Sequence, residues 1–359
     1  MFPSIRLGGD PSFYDMELTI GLLIIAIGAF CQSSCYVPIN KIKDWSWESY
    51  WIVQGVFAWL VFPILGALLA VPPGYSLLEL FAQSPSFHFW MTILFGVLWG
   101  VGGLTFGLSM RYLGVALGQS IALGTCAGLG TIMGPILLNI FFSELNALRA
   151  LTFSVILGVI VTLVGIAIIG IAGSMKSASL SEEEKKAAVR DFNFPKGIVI
   201  ALLAGFMSGC FNVGLEFGKD INFGNLTHPM FKTLPATLLV TLGGFLTNAI
   251  YCLYQNQRNH TWGDYKKGSV WLNNAFFCLL AGALWYSQFF GLSLGKGFLK
   301  SSPTLMTLSF CILMALNVVF SNVWGIILKE WKGCSKQTIM VLVIGIIILL
   351  TSCFLPQLV

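Results

Sequence analysis

Runs of about twenty apolar residues, separated by short polar stretches, recur along the whole chain. A helix needs roughly 20 such residues to cross the hydrocarbon core of a bilayer. By that rule the pattern predicts ten spanning helices, at 17–38, 48–71, 88–111, 114–141, 149–172, 196–218, 232–254, 270–293, 302–328 and 337–355. Most connections are short. The exception is 173–195, which holds Ser181-Glu182-Glu183-Glu184-Lys185-Lys186 and Arg190 and is expected to be a solvated linker with a short surface helix. It divides the chain into a tail (1–16), five helices (17–172), the linker itself, and five more helices (196–359).

Composition supports this reading. Apolar residues make up 56% of the 359 and charged ones only 10%, against about 25% charged in an ordinary soluble domain. A soluble enzyme, a disordered chain and a nucleic-acid-binding domain are excluded, leaving an all-α integral membrane protein surrounded by lipid. Residues 1–17 hold one Arg against Asp10, Asp15 and Glu17, the wrong sign for a cleaved signal. Most of the 20 Lys and Arg lie in the loops after helices 1, 3, 5, 7 and 9. The positive-inside rule makes those loops cytoplasmic and puts both termini outside.

Five helices are an odd number, so the second set inserts upside down relative to the first. Traces of a repeat fall on matching helices. Helix 3 has Leu98-Trp99 followed by Phe106-Gly107-Leu108-Ser109, and helix 8 has Leu284-Trp285 followed by Phe290-Gly291-Leu292-Ser293. Helix 1 has Ser33-Ser34-Cys35-Tyr36 and helix 6 has Ser208-Gly209-Cys210-Phe211. A 5+5 inverted repeat is therefore expected, an arrangement that in secondary transporters places the substrate between the halves.

Polar residues inside spans mark packing contacts or a water-lined path. Gln32, Tyr36 and Asn40 share one face of helix 1, and Ser208, Asn212 and Glu216 share one face of helix 6. The first stripe lies in the cytoplasmic half and the second in the outer half, as two half-channels meeting at a centre would. Interhelical hydrogen bonding is the plainer reading of the same stripes. Trp45, Trp47, Trp51 and Trp331 sit at span ends and read as interface-belt residues. Trp99 and Trp285 are mid-span, and Tyr286 and Gln288 adjoin the latter. A ring face beside amide and hydroxyl groups suits a small sugar, although core packing explains the same residues.

His88, His228 and His260 are all terminal or in loops, so no buried histidine relay is available. Glu216 is the most embedded acid. Burial favours the protonated form of a carboxyl, which makes Glu216 the candidate proton carrier; an interface acid paired with Lys219 is the alternative. Cys31 and Cys35 lack acidic or histidine partners and read as small buried residues. No metal or cofactor is expected, and a monomer and a homodimer remain open.

Several motifs together resemble the L-rhamnose–proton symporters of the drug/metabolite transporter superfamily. They are Cys35-Tyr36-Val37-Pro38 with Lys41, Lys43 and Trp45-Ser46-Trp47-Glu48; Leu98-Trp99-Gly100-Val101-Gly102; Gly107-Leu108-Ser109-Met110-Arg111-Tyr112-Leu113-Gly114; Leu284-Trp285-Tyr286-Ser287-Gln288-Phe289-Phe290; and Leu328-Lys329-Glu330-Trp331. They fall in order over nearly the whole chain. The resemblance implies a ten-helix 5+5 fold in the bacterial inner membrane and import of L-rhamnose or a related 6-deoxyhexose with protons by alternating access. Enterobacterial members carry histidine and acidic residues in the ninth helix, and Pro303–Leu316 has neither. Trp99, Trp285, Tyr286 and Gln288 would line the sugar site, Asn212 and Glu216 the outer path, and Gln32 and Tyr36 the inner one. The competing reading is an exporter or exchanger of another small metabolite. An anionic nucleotide sugar would call for Lys or Arg deep in the spans, where the predicted boundaries place none.

Overall fold

The computed structural model describes residues 11–39, 41–113, 115–143, 145–179, 193–223, 226–327, 331 and 333–354. Among these, regular structure is entirely helical. The long helices are α1 (Pro11–Ser34), α2 (Trp47–Leu68), α3 (Ser86–Leu113), α4 (Val115–Phe142), α5 (Phe153–Ala178), α6 (Phe194–Phe217), α7 (Leu234–Arg258), α8 (Gly268–Phe298), α9 (Pro303–Ile327) and α10 (Lys336–Phe354). Among the described residues nine are long and apolar enough to cross a membrane, while α10 carries a shorter apolar stretch, Lys336–Ser352. Large apolar side chains such as Ile27, Trp90, Ile140, Phe153, Ile250 and Leu272 point outward. In water that would be costly; against lipid it is the expected outer surface.

Several boundaries differ from the sequence expectation. Helix α1 starts at Pro11, so part of the expected tail is helical. Helix α5 runs on to Ala178, and α6 starts at Phe194, where the Asn193 side chain accepts from the Lys196 N–H and caps the first turn. The surface helix expected in the linker lies outside the described residues. The second span is not uniform: Val56–Val61 is wound as a π-helix. Pro63 follows two residues later and has no N–H to give back to Trp59. The widened turn is where Trp59 sits, 4% exposed.

Helix α6 packs against α3 and α4, and α1 against α8 and α9. Helix α3 also meets α7, α8 meets α2, and α5 joins α4 to α10. Glycines allow close approach at two of these contacts. A Cβ on Gly96 of α3 would lie on the Val240 backbone of α7, and one on Gly282 of α8 would lie 2.9 Å from the Ala58 nitrogen of α2. Small residues let membrane helices approach in this way.

A polar clamp ties the start of α2 to the end of α7. Asp264, in the 3-10 turn Thr261–Lys266, accepts from the Ser46 N–H (2.7 Å), the Ser46 and Ser49 hydroxyls (2.7 and 2.9 Å) and Lys267 Nζ (2.7 Å). Glu48 accepts from Asn259 and Thr261. Burial alone would raise the Asp264 pKa, but the Lys267 ammonium and the Ser46 and Ser49 donors outweigh it and hold the carboxyl at about 2. The ionised carboxylate therefore stabilises the fold above its unfolded value near 4, and that contribution is lost as pH falls from about 4 towards 2. Asp264→Ala removes the acceptor of the Ser46 N–H and the partner of the Lys267 ammonium and should cost about 2 kcal/mol, read as a lowered thermal transition in detergent at pH 7 whose gap from the parent closes near pH 2. The clamp also corrects the interface-belt expectation. Trp45 is buried beside Tyr265, and Trp51 turns inward to donate to Asn248 Oδ1 (3.0 Å).

Candidate functional site

Three tryptophans from three helices meet at the centre of the bundle. Trp59 of α2 lies edge-on to Trp99 of α3 (ring centroids 5.9 Å, 89°) and to Trp285 of α8 (6.0 Å, 83°), and Trp99 and Trp285 are 5.6 Å apart. Trp99 and Trp285 keep partly exposed faces, while Trp59 is closed in behind them. Edge-to-face contact lets the rings brace one another. Trp99 is held from behind by Gly244 of α7, which has no side chain to obstruct the ring. The structure thus brings together the two tryptophans singled out from the sequence and adds Trp59, which sequence reading missed. The signal for it was Pro63 inside an apolar span, with Gly55 on the preceding turn accommodating the Trp59 ring.

Beside the rings lies a partly satisfied polar shell. Gln288 Oε1 accepts from Asn317 Nδ2 of α9 (3.1 Å), and Gln288 Nε2 donates to the Trp285 carbonyl (3.2 Å). Ser33 of α1 donates to the Asn317 carbonyl (3.1 Å). Asn212 of α6 donates to the Gly130 carbonyl of α4 (2.7 Å). Among the described residues, Trp59 Nε1, Asn212 Oδ1, Tyr286 OH and Asn317 Oδ1 are buried without a protein partner. A buried polar atom without a hydrogen bond costs about 1–3 kcal/mol, so the Trp59, Asn212 and Asn317 atoms leave hydrogen-bonding capacity for a polyhydroxylated ligand or water. Asn317 is a second residue missed from the sequence, where it stood as a single amide in an apolar helix.

The other expected site residues are placed less centrally. Tyr286 turns towards α2, where its hydroxyl sits against Gly66. Gln32 is half-buried and accepts from the Cys35 thiol (3.2 Å). The Tyr36 side chain and Asn40 lie outside the described residues. Glu216 is half-buried one turn beyond Asn212, with Gly134 of α4 leaving room for its methylenes. The carboxylate acts electrostatically on Lys296, which lies in the last turn of α8, at a helix end as expected of the charged residues. Lys296 is half-buried and falls eleven residues after Trp285, on the same helix face and about three turns further along. The predicted boundary of the eighth span, at residue 293, had put Lys296 in a loop.

The comparison with known proteins fits this chemistry. The family model for L-rhamnose-proton symport protein (RhaT) matches residues 15–357. The L-rhamnose-proton symporter of Cronobacter sakazakii is 30% identical over 342 residues, covering 93% of this chain and 96% of the relative. The proteins of the same description from Citrobacter koseri and Yersinia pestis are 29% and 28% identical over the same shares of both chains. With the match spanning every long helix, including those that carry the tryptophan layer, the chain belongs to the L-rhamnose-proton symport protein family.

Proposed function

We propose that this protein is a proton-coupled importer of L-rhamnose or a close 6-deoxyhexose in the bacterial inner membrane, a transporter and not an enzyme. The observation that carries the reading is the Trp59–Trp99–Trp285 layer with the unpartnered atoms of Asn212 and Asn317 beside it. A deoxyhexose has an apolar C–H face, extended by its methyl group, and an edge of hydroxyls. The rings take the first, and the amide oxygens and Trp59 Nε1 take the second.

The architecture of this proposal is ten transmembrane helices in a 5+5 inverted repeat of the drug/metabolite transporter type, with halves 17–172 and 196–359 rocking about the central site. The helix contacts support it. Exchanging each helix for the one five places later turns α6 on α3 and α4 into α1 on α8 and α9, and α3 on α7 into α8 on α2. Gly96 and Gly282 occupy matched positions, three residues before Trp99 and Trp285, and each presses on a helix of the opposite half. Glu216, whose carboxylate acts electrostatically on Lys296, is the proton carrier in this scheme. When Glu216 is protonated, Lys296 loses its counter-charge, so protonation and movement of α6 relative to α8 are coupled.

Orientation is part of the proposal: both termini outside and the linker at 173–195 in the cytoplasm. A cysteine at Ser181 should resist an impermeant thiol reagent added to intact cells and react once the membrane is permeabilised. Ready labelling from outside would reverse the orientation. The function itself is tested by uptake of radiolabelled sugars into proteoliposomes. Accumulation of L-rhamnose under an inward proton gradient, and not under a sodium gradient alone, is the expected result. Accumulation of an unrelated metabolite, with no deoxyhexose accepted, would support an exchanger of another substrate instead.

A further inference from the structure

The two sides of the tryptophan layer are not equally closed. Helices α3 and α8 run in opposite directions through it, so four residues beyond Trp285 and four beyond Trp99 lead to opposite faces of the membrane. On the α8 side the position is Phe289, which stacks on Phe211 of α6 at 3.9 Å between ring centroids and 16° between planes. Both rings are buried. Trp99 and Trp285 rest against this pair, at 5.1 Å to Phe211 and 5.2 Å to Phe289. Further out, the ends of α3, α4 and α6 are drawn together by His88. Its Nδ1–H donates to the Phe217 carbonyl (2.7 Å), and its ring stacks on Phe142 (4.7 Å). No apolar gap large enough for a sugar can persist through a stack at van der Waals distance.

On the α3 side the matched position is Gly103. It lies roughly opposite the lipid-facing stripe of Trp90, Leu94 and Leu108 when the helix is unrolled at 100° per residue, so it faces the interior. Among the described residues, no atom lies within 4 Å of a Cβ built there. The neighbouring interior glycines behave differently: Gly102 abuts the Ser208 backbone and Gly100 abuts Gly244.

We infer that the Phe211–Phe289 stack is the outer gate of the transport path, and that the structure is the inward-open state, with the cytoplasmic path passing Gly103. The inference rests on the repeat and orientation proposed above. Admission of sugar from outside then requires the two rings to part, which means moving α6 relative to α8, the same displacement that separates Glu216 from Lys296. Gly103 has no side chain to serve on α3 as the counterpart of Phe289.

Gly103→Cys tests this without sugar or gradient. An impermeant maleimide is applied to right-side-out and to inverted membrane vesicles, and modification at residue 103 is read by peptide mass spectrometry, which separates it from the native cysteines. Labelling from the cytoplasmic face at least tenfold faster than from the outer face is expected. Adding Phe289→Ala, or the more conservative Phe211→Leu, should raise the outer rate at least tenfold. Labelling from neither face, faster labelling from outside, or an outer rate unmoved by both gate variants in well-inserted protein would overturn the gate. Failure of L-rhamnose transport leaves this readout unaffected, so the two proposals fail separately. If the Ser181 cysteine reports the reverse orientation, the fast face at residue 103 must change with it.

Discussion

Trp285→Ala should weaken L-rhamnose binding by about 30-fold while leaving the protein inserted and folded. Trp285 shows a partly exposed face beside Trp99 and Trp59 at the centre of the bundle. Returning roughly 40 Å² of sugar face to water costs about 1 kcal/mol at ~25 cal/mol per Å². Losing the ring's own interaction adds about 0.5–1.5 kcal/mol, and ~2 kcal/mol in all is about a 30-fold change in Kd. Trp285→Phe should retain most of the affinity. Trp59→Phe separates a binding role from a packing one. Its Nε1 is buried with no partner among the described residues, so if the group only packs, removing it is neutral or stabilising. If it donates to a sugar hydroxyl, affinity falls by about fivefold at roughly 1 kcal/mol per hydrogen bond. Isothermal titration in detergent reads both. Unchanged affinity in Trp285→Ala would make the tryptophan layer a structural core and move the sugar site elsewhere.

Glu216→Gln should abolish accumulation without abolishing exchange. At one proton per sugar, a gradient of one pH unit supports about tenfold accumulation, because tenfold corresponds to about 1.4 kcal/mol. Removing the carrier brings the ratio to about one. Exchange of internal for external L-rhamnose needs only binding and alternation, so it survives in part. Lys296 makes the test sharper. With Glu216 replaced, its half-buried ammonium loses the charge that acts on it, and some loss of stability follows from that alone. Glu216→Gln combined with Lys296→Gln should restore stability but not accumulation. Normal accumulation in Glu216→Gln would dismiss it as the carrier and direct attention to Glu48, the buried acid at the other end of the bundle.

Much of the fold was legible because lipid imposes a simple demand: each span must satisfy its own backbone and stay apolar for about twenty residues. The long helices follow from that, as does the pairing of Trp99 with Trp285 through the repeated Leu-Trp motif. Trp59 was hidden because apolar periodicity cannot distinguish α from π winding; its cue was local, in Gly55 and Pro63. Asn317 was hidden because one amide in an apolar helix carries no spacing signal, and its partners Gln288 and Ser33 come from α8 and α1. Lys296 was assigned to a loop because hydropathy fades several residues before α8 ends at Phe298. Trp45 and Trp51 looked like belt residues because the clamp that turns them inward joins residues some two hundred positions apart.

L-rhamnose and a proton should enter together through the site at the tryptophan layer. Adding L-rhamnose to lightly buffered, de-energised proteoliposomes and following the external pH tests it directly. A transient external alkalinisation is expected, which a protonophore abolishes and which Trp285→Ala shifts to about 30-fold higher sugar concentration. Sugar entry with no pH change, or entry unaffected by Trp285→Ala, would contradict it.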